Sequence, residues 1–270
     1  MPQAPDAAQL QEWLQTLRRT KSPSAKHYAG YWANLVPLLE GREWISDLAE
    51  DAAREEINGY YKAFLWMLLA QKSFQFEDVA GASEAVVRST EILQSADDLP
   101  GAAQGLTMRA QLHRIQARIE LKLGRVEAAL REVALGESAA NDALEESPGA
   151  RRALAEVKTL RRIRLDCMSA SDRQREVIEI VRAEIETASG SDLVKLRTRL
   201  AAAAVHLVRR GQAVDVKAKD ILAANLEDPT AGRDDLFMAR LLMGRLLIFN
   251  GGLEEARGHL NSALELADSR

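Results

Sequence analysis

Apolar residues along this chain return at steps of three and four, and breaker residues cut the resulting stripes into helix-length blocks. In 150–167 the stripe is Ala153, Leu154, Val157, Leu160 and Ile163, with Arg and Lys filling the gaps between them. Spacing of this kind gives an α-helix one apolar face. The same reading predicts helices over 6–19, 24–40, 44–72, 76–96, 102–123, 126–146, 150–167, 172–188, 191–210, 213–227, 235–250 and 253–268. The long block 44–72 carries a break signal at Asn58-Gly59, and Ser171 with Gln174 has the spacing of a capping box for the block that starts at 172. Strand-like alternation of Val, Ile, Thr and aromatics is absent. Short connections make neighbouring helices antiparallel. The expected fold class is all-α, with about twelve helices, each needing its neighbours to cover its stripe.

Small residues fall at fixed places in "RLLMGRLLIFNGGLEEARGHLNSALELAD", Arg240 to Asp268. From Gly244 the pattern runs three on to Leu247, four to Gly251, five to Ala256, four to Leu260 and three to Ala263. Two helices in a tight hairpin need small residues where their backbones come closest. Gly244 and Ala256 fit that role, Gly251 fits the turn, where a positive φ costs little, and Leu247 and Leu260 fill the space beside them. Ala263 leaves room for a neighbouring hairpin.

This pattern resembles the tetratricopeptide repeat (TPR), a helix–turn–helix unit of about 34 residues. The copy at 238–268 departs from it at Arg240, where a large aromatic is usual, and at Asp268, where Pro is frequent. A second copy, containing "LGRVEAAL", has Ala117, Gly124, Ala129, Val133 and Gly136 at the same spacings, with Glu120 as its departure. A third has Ala204, Leu207 and Gly211 in place and a second helix shifted by about two residues. The hairpins 44–96 and 150–188 have the length and little of the motif. The resemblance implies a right-handed superhelix of five or six hairpins, one domain over 1–270, with an aromatic-rich part at 1–76 and the TPR-like hairpins at 102–270. An ordinary helical bundle is the alternative.

The resemblance also implies a concave groove lined by the first helix of each hairpin. Alignment on Gly244 puts Arg245, Ile248 and Phe249 on that wall; alignment on Ala117 puts Arg114, Arg118, Leu121 and Lys122 there; alignment on Ala204 puts Val205, Val208 and Arg209 there. Arginines among aliphatic residues suit an acidic peptide or a terminal carboxylate, through charge-assisted hydrogen bonds. The Asn and Lys residues of the family's chaperone-binding clamp are not at these positions.

Composition narrows the classes. The chain of 270 residues is 47% hydrophobic, chiefly Ala and Leu, and carries a net charge of −4. That balance gives no global attraction to nucleic acid. A local alternative is the basic helix "RRALAEVKTLRRIR" at 151–164, where Arg151, Arg152, Lys158, Arg161, Arg162 and Arg164 face one Glu156; it would make the protein a nucleic-acid-linked regulator. Cys167 is the single cysteine, no secretory-type apolar run opens the chain, and no apolar stretch nears the roughly 20 residues of a membrane span, so a cytoplasmic protein without a membrane partner is expected.

Aromatic residues are unevenly spread. Trp13, Trp32, Trp44, Trp66, Tyr28, Tyr31, Tyr60, Tyr61, Phe64, Phe74 and Phe76 precede a long gap that ends at Phe237 and Phe249. One reading is a packed N-terminal subdomain. The sharper reading is a partner surface with Tyr31, Trp32 and Trp66 as its anchor.

Catalytic chemistry has no sequence signature. His27, His113, His206 and His259 are scattered, and no HExxH, GxSxG, Cys/His cluster or phosphate-binding glycine loop occurs. The reading is therefore a non-enzymatic protein-binding scaffold, adaptor or sensor with no cofactor, whose ligand contacts are Arg114, Arg118, Lys122 and Arg245 with Tyr31, Trp32 and Trp66. The last hairpin leaves Leu260, Leu264 and Leu266 to bury, which points to a homodimer through the C-terminal hairpin.

Overall fold

The computed structural model describes residues 25–36, 43–55, 57, 59–97 and 99–268, with 9, 12, 13, 15 and 16. Twelve α-helices and no strand occur among the described residues: α1 (Ala25–Leu35), α2 (Glu43–Ala53), α3 (Gly59–Gln75), α4 (Val79–Ser95), α5 (Ala102–Lys122), α6 (Val126–Glu146), α7 (Arg151–Ala170), α8 (Gln174–Ile185), α9 (Gly190–Arg209), α10 (Ala218–Glu227), α11 (Arg233–Phe249) and α12 (Leu253–Asp268). The fold is all-α. The helix expected at 6–19 lies largely outside the described residues, and the block 44–72 divides where its break signal falls, into α2 and α3.

Two compact units divide the chain, Met1–Cys167 and Met168–Arg270. In the first, the aromatic helices α1 to α3 share one core with α4 and α5, built on Trp32, Leu48, Leu65, Leu93, Met108 and Ile119. A smaller cluster joins α5, α6 and α7 through Ala117, Ala129, Val133 and Leu160. Gly136 sits at the meeting point: a Cβ there would lie 3.0 Å from Leu160 and 3.1 Å from His113. Leu121 packs against this cluster and leaves the wall expected of it. In the second unit, Ala204, Leu222, Ala239, Leu247 and Ala256 form the core. Asn225, fully buried, pins α10 to α9 by donating to the Val194 carbonyl at 3.1 Å and the Thr198 hydroxyl at 3.0 Å.

One turn recurs five times. After α3, α5, α7, α9 and α11 the chain passes through a left-handed residue: Glu77 (φ 66°), Gly124 (75°), Asp172 (63°), Gly211 (70°) and Gly251 (79°). At each, the left-handed residue donates its N–H three residues back, and the next residue donates five back, as in Asp78 to Ser73 (2.9 Å), Arg125 to Glu120 (2.8 Å), Arg173 to Met168 (2.9 Å), Gln212 to Leu207 (3.0 Å) and Gly252 to Leu247 (2.9 Å). This is the Schellman closure, which satisfies carbonyls that a helix end would leave open. The turns recur at wider intervals than the about 34-residue TPR period. The capping box expected from Ser171 and Gln174 does not form. The left-handed turn at Asp172 delays the helix to Gln174, the Ser171 hydroxyl donates to the Met168 carbonyl, and the Gln174 amide donates to the Ser169 carbonyl.

Candidate functional site

Helices α3 and α5 pack side by side in the first unit, and clefts open at two places on the wall they form. One end of it holds a cleft of about 410 Å³, lined by Gln71, Phe74 and Glu77 from the α3 side and by Arg114, Arg118 and Lys122 of α5. Helical spacing explains the convergence: residues 114, 118 and 122 follow one another at steps of four and share a face. The Phe74 ring lies 5.9 Å below both the Arg118 guanidinium and the Lys122 ammonium. A cation over an aromatic face is attracted by the ring quadrupole, by about 0.5–1 kcal/mol at an exposed site.

Three of the expected contacts are thus brought together, and the structure ranks them. Arg114 is committed elsewhere: its Nε donates to Glu156 of α7 at 2.7 Å, and the two side chains are only 12% and 11% exposed. Gln111 donates to the other oxygen of the same carboxylate at 3.3 Å. Removing either partner would strand a nearly buried charge, so this pair fixes α5 to α7 and is not open to a ligand. Lys122 meets Glu77 at 2.9 Å, with both side chains well exposed. An exposed pair of that kind contributes at most about 1 kcal/mol and exchanges readily. Arg118 makes no ion pair with a described carboxylate. Arg118 and Lys122 are therefore the available cations.

Arg245 lies in the second unit, exposed on α11 beside exposed Ile248 and Phe249. Of the third set, Val205 is buried in that unit's core and Arg209 is exposed. The aromatic anchor takes a different form from the one expected. Trp32 is fully buried, and its indole Nε1 donates to the buried Asp51 carboxylate at 3.0 Å. Arg54 donates to the same carboxylate at 2.8 Å and stacks over Tyr28. Tyr31 stands edge-on to Trp32, half-buried. Trp66 carries the Arg88 guanidinium at 5.4 Å over its ring. Burying an indole requires a partner for its N–H, and Asp51 supplies it, so Trp32 holds the core together.

Along the basic helix α7, Arg151, Arg152, Lys158, Arg161 and Arg162 are exposed, while Arg164 is ion-paired to Glu137 of α6. Burial lifts the Glu137 carboxyl above its ordinary range against the pull of Arg164 and Arg161. A larger, apolar cleft of about 590 Å³ opens between α4, α5 and α6, with His113 bonded to Glu132 at 2.8 Å on its lining. Among the described residues no group of three His, Cys, Asp or Glu could hold a metal ion, and no described helix is long and apolar enough to cross a membrane. Compared with protein-family models, curated proteins and solved structures, the chain finds no match.

Proposed function

We propose that this protein is a non-enzymatic interaction module of TPR-like architecture that holds an acidic peptide segment against the α3–α5 wall. The observation that carries the reading is Phe74 with Arg118 and Lys122 above it in an open cleft. An acidic side chain gains two charge-assisted hydrogen bonds there and displaces only the exposed Glu77, whose release costs little. Binding requires no covalent step. The lone Cys167, buried in the core, suits a reducing compartment such as the cytoplasm.

The test is affinity capture from a nuclease-treated lysate, comparing the native chain with an Arg118→Glu, Lys122→Glu variant. Both positions are exposed, so the variant keeps the fold. A protein captured by the native chain and lost from the variant supports the reading, and a partner retained by both overturns the groove. Nucleic acid retained when nuclease is omitted would shift the reading to the exposed arginines of α7.

A second, compatible reading concerns α12, where Leu253 and Leu264 are 65% and 60% exposed. A homodimer through that helix covers them. Sedimentation of native and Leu253→Asp, Leu264→Asp chains tests it: a dimer that becomes a monomer supports it, and a native monomer rules it out.

A further inference from the structure

At its other end the α3–α5 wall opens into a separate cleft of about 420 Å³. Tyr60 and Phe64 of α3 and Met108 of α5 give it an apolar side, and Arg151 and Arg152 of α7 stand at its edge. No carboxylate lines this cleft, and the first turn of α7 has no acidic residue. Neither arginine forms an ion pair with a described carboxylate. Elsewhere in this unit Arg114, Lys122 and Arg164 each face a carboxylate, whereas Arg118 shares the unpaired state of Arg151 and Arg152 toward described carboxylates. Burial raises the Tyr60 phenol above its ordinary range, and the charge of Arg152 offsets part of that rise.

Two guanidinium groups without a carboxylate partner stand here beside the aromatic surface of Tyr60 and Phe64, with the buried Met108 behind it. The cations favour a carboxylate or phosphate, which they can hold bidentately. The apolar side favours a hydrophobic body. The volume lies in the range of small-ligand sites, about 300–1,000 Å³. An acidic protein surface would satisfy the arginines and leave the Tyr60–Phe64–Met108 side wet, and a neutral apolar compound would do the reverse. A compact amphiphilic acid satisfies both.

We infer that this cleft is a binding site for a small organic acid, with its apolar body against Tyr60, Phe64 and Met108 and its anionic head on Arg151 and Arg152. The site is separate from the peptide cleft and does not depend on it. Carboxylate and phosphate heads are the two chemistries that two arginines read.

Isothermal titration of the full chain with 2-naphthoate and with phenyl phosphate tests the inference, using 2-naphthalenemethanol as the neutral counterpart. Saturable binding of at least one acid is expected, with the alcohol weaker by about tenfold or more, the loss of one charge-assisted contact. Comparison of the two acids tells which head is preferred. An Arg151→Ala, Arg152→Ala variant should lose the acid, and because both residues are exposed it should keep its circular dichroism and melting temperature. Tyr60→Ala should weaken the acid and its alcohol alike, whereas Arg118→Glu should change neither. Failure of both acids to saturate, equal binding of the alcohol, or unchanged binding in the double-arginine variant would each overturn the site.

Discussion

Gly244 of α11 lies against Leu260 of α12, so close that a methyl group on Gly244 would stand 2.7 Å from the Leu260 Cγ. The pair sets how near the two helices of the last hairpin approach, and the Ala256 carbonyl lies just beyond, at 3.4 Å. Gly244→Ala is therefore expected to lower stability by about 1–3 kcal/mol, although alanine is the better helix former by about 1 kcal/mol. Combined with Leu260→Ala, it should cost less than the sum of the single changes. Urea unfolding followed by far-UV circular dichroism measures both. Gly258, in the middle of α12, has open space where a methyl group would stand and is the control. Gly258→Ala should stabilise by about 0.5–1 kcal/mol.

Glu77 and Asp172 occupy a backbone conformation that glycine holds in the other three turns. The left-handed region costs an L-residue roughly 1–2 kcal/mol, and less for Asp than for Glu. Each acid sends its side chain to the end of a later helix: Glu77 to Lys122 of α5, and Asp172 to His206 and Arg210 beside the end of α9. Glu77→Gly should raise the melting temperature, because strain relief exceeds the worth of the exposed pair with Lys122. Asp172→Gly should gain less, since it has less strain to relieve and two partners to lose. Calorimetry on the two variants checks the order.

Trp32→Phe removes the indole donor to Asp51 and leaves room where the indole was. A loss of about 2 kcal/mol or more follows from the unmade bond and the smaller ring. If Trp32 were a surface anchor, the change would be nearly neutral in unfolding and would appear in partner binding instead.

Burial pushes the Cys167 thiol up to about 11. The sign follows from an acid whose folded pKa is raised. Below about pH 9 both folded and unfolded chains carry the proton and the group is neutral to stability. Between about 9 and 11 the unfolded chain ionises first, and stability falls. Cys167→Ala should flatten that alkaline limb relative to the native chain. Iodoacetamide at pH 8 should leave the native thiol unlabelled and modify it once urea unfolds the protein.

The helices were legible because their stripes are regular, and the hairpin turns at Gly124, Gly211 and Gly251 because glycine announces a left-handed residue. The turns at Glu77 and Asp172 were not, since an acid marks positive φ far more weakly than glycine does, Glu least of all. The α6 and α12 boundaries fall where the breakers put them, yet α8 starts late because the hidden Asp172 turn takes up the residues that look like its cap. Spacing along α5 brought Arg114, Arg118 and Lys122 to one face, but Glu156, which claims Arg114, lies far away in sequence and only packing brings it there. The same holds for the anionic-ligand cleft. Tyr60, Met108 and Arg152 come from three helices, and no local pattern links them. Burial separates Trp32 from Trp66, although composition treats them alike.

All four tryptophans and all four tyrosines belong to the unit Met1–Cys167, most of them in or against its aromatic core. Intrinsic fluorescence is consequently blind to residues 168–270. A fluorescence melt reports on one unit, while far-UV circular dichroism weighs the helices of both. Coincident curves would mean that the whole chain unfolds as one cooperative block, and separated curves would mean two. The uneven placement of indoles and phenols gives this protein a built-in optical label for its first unit.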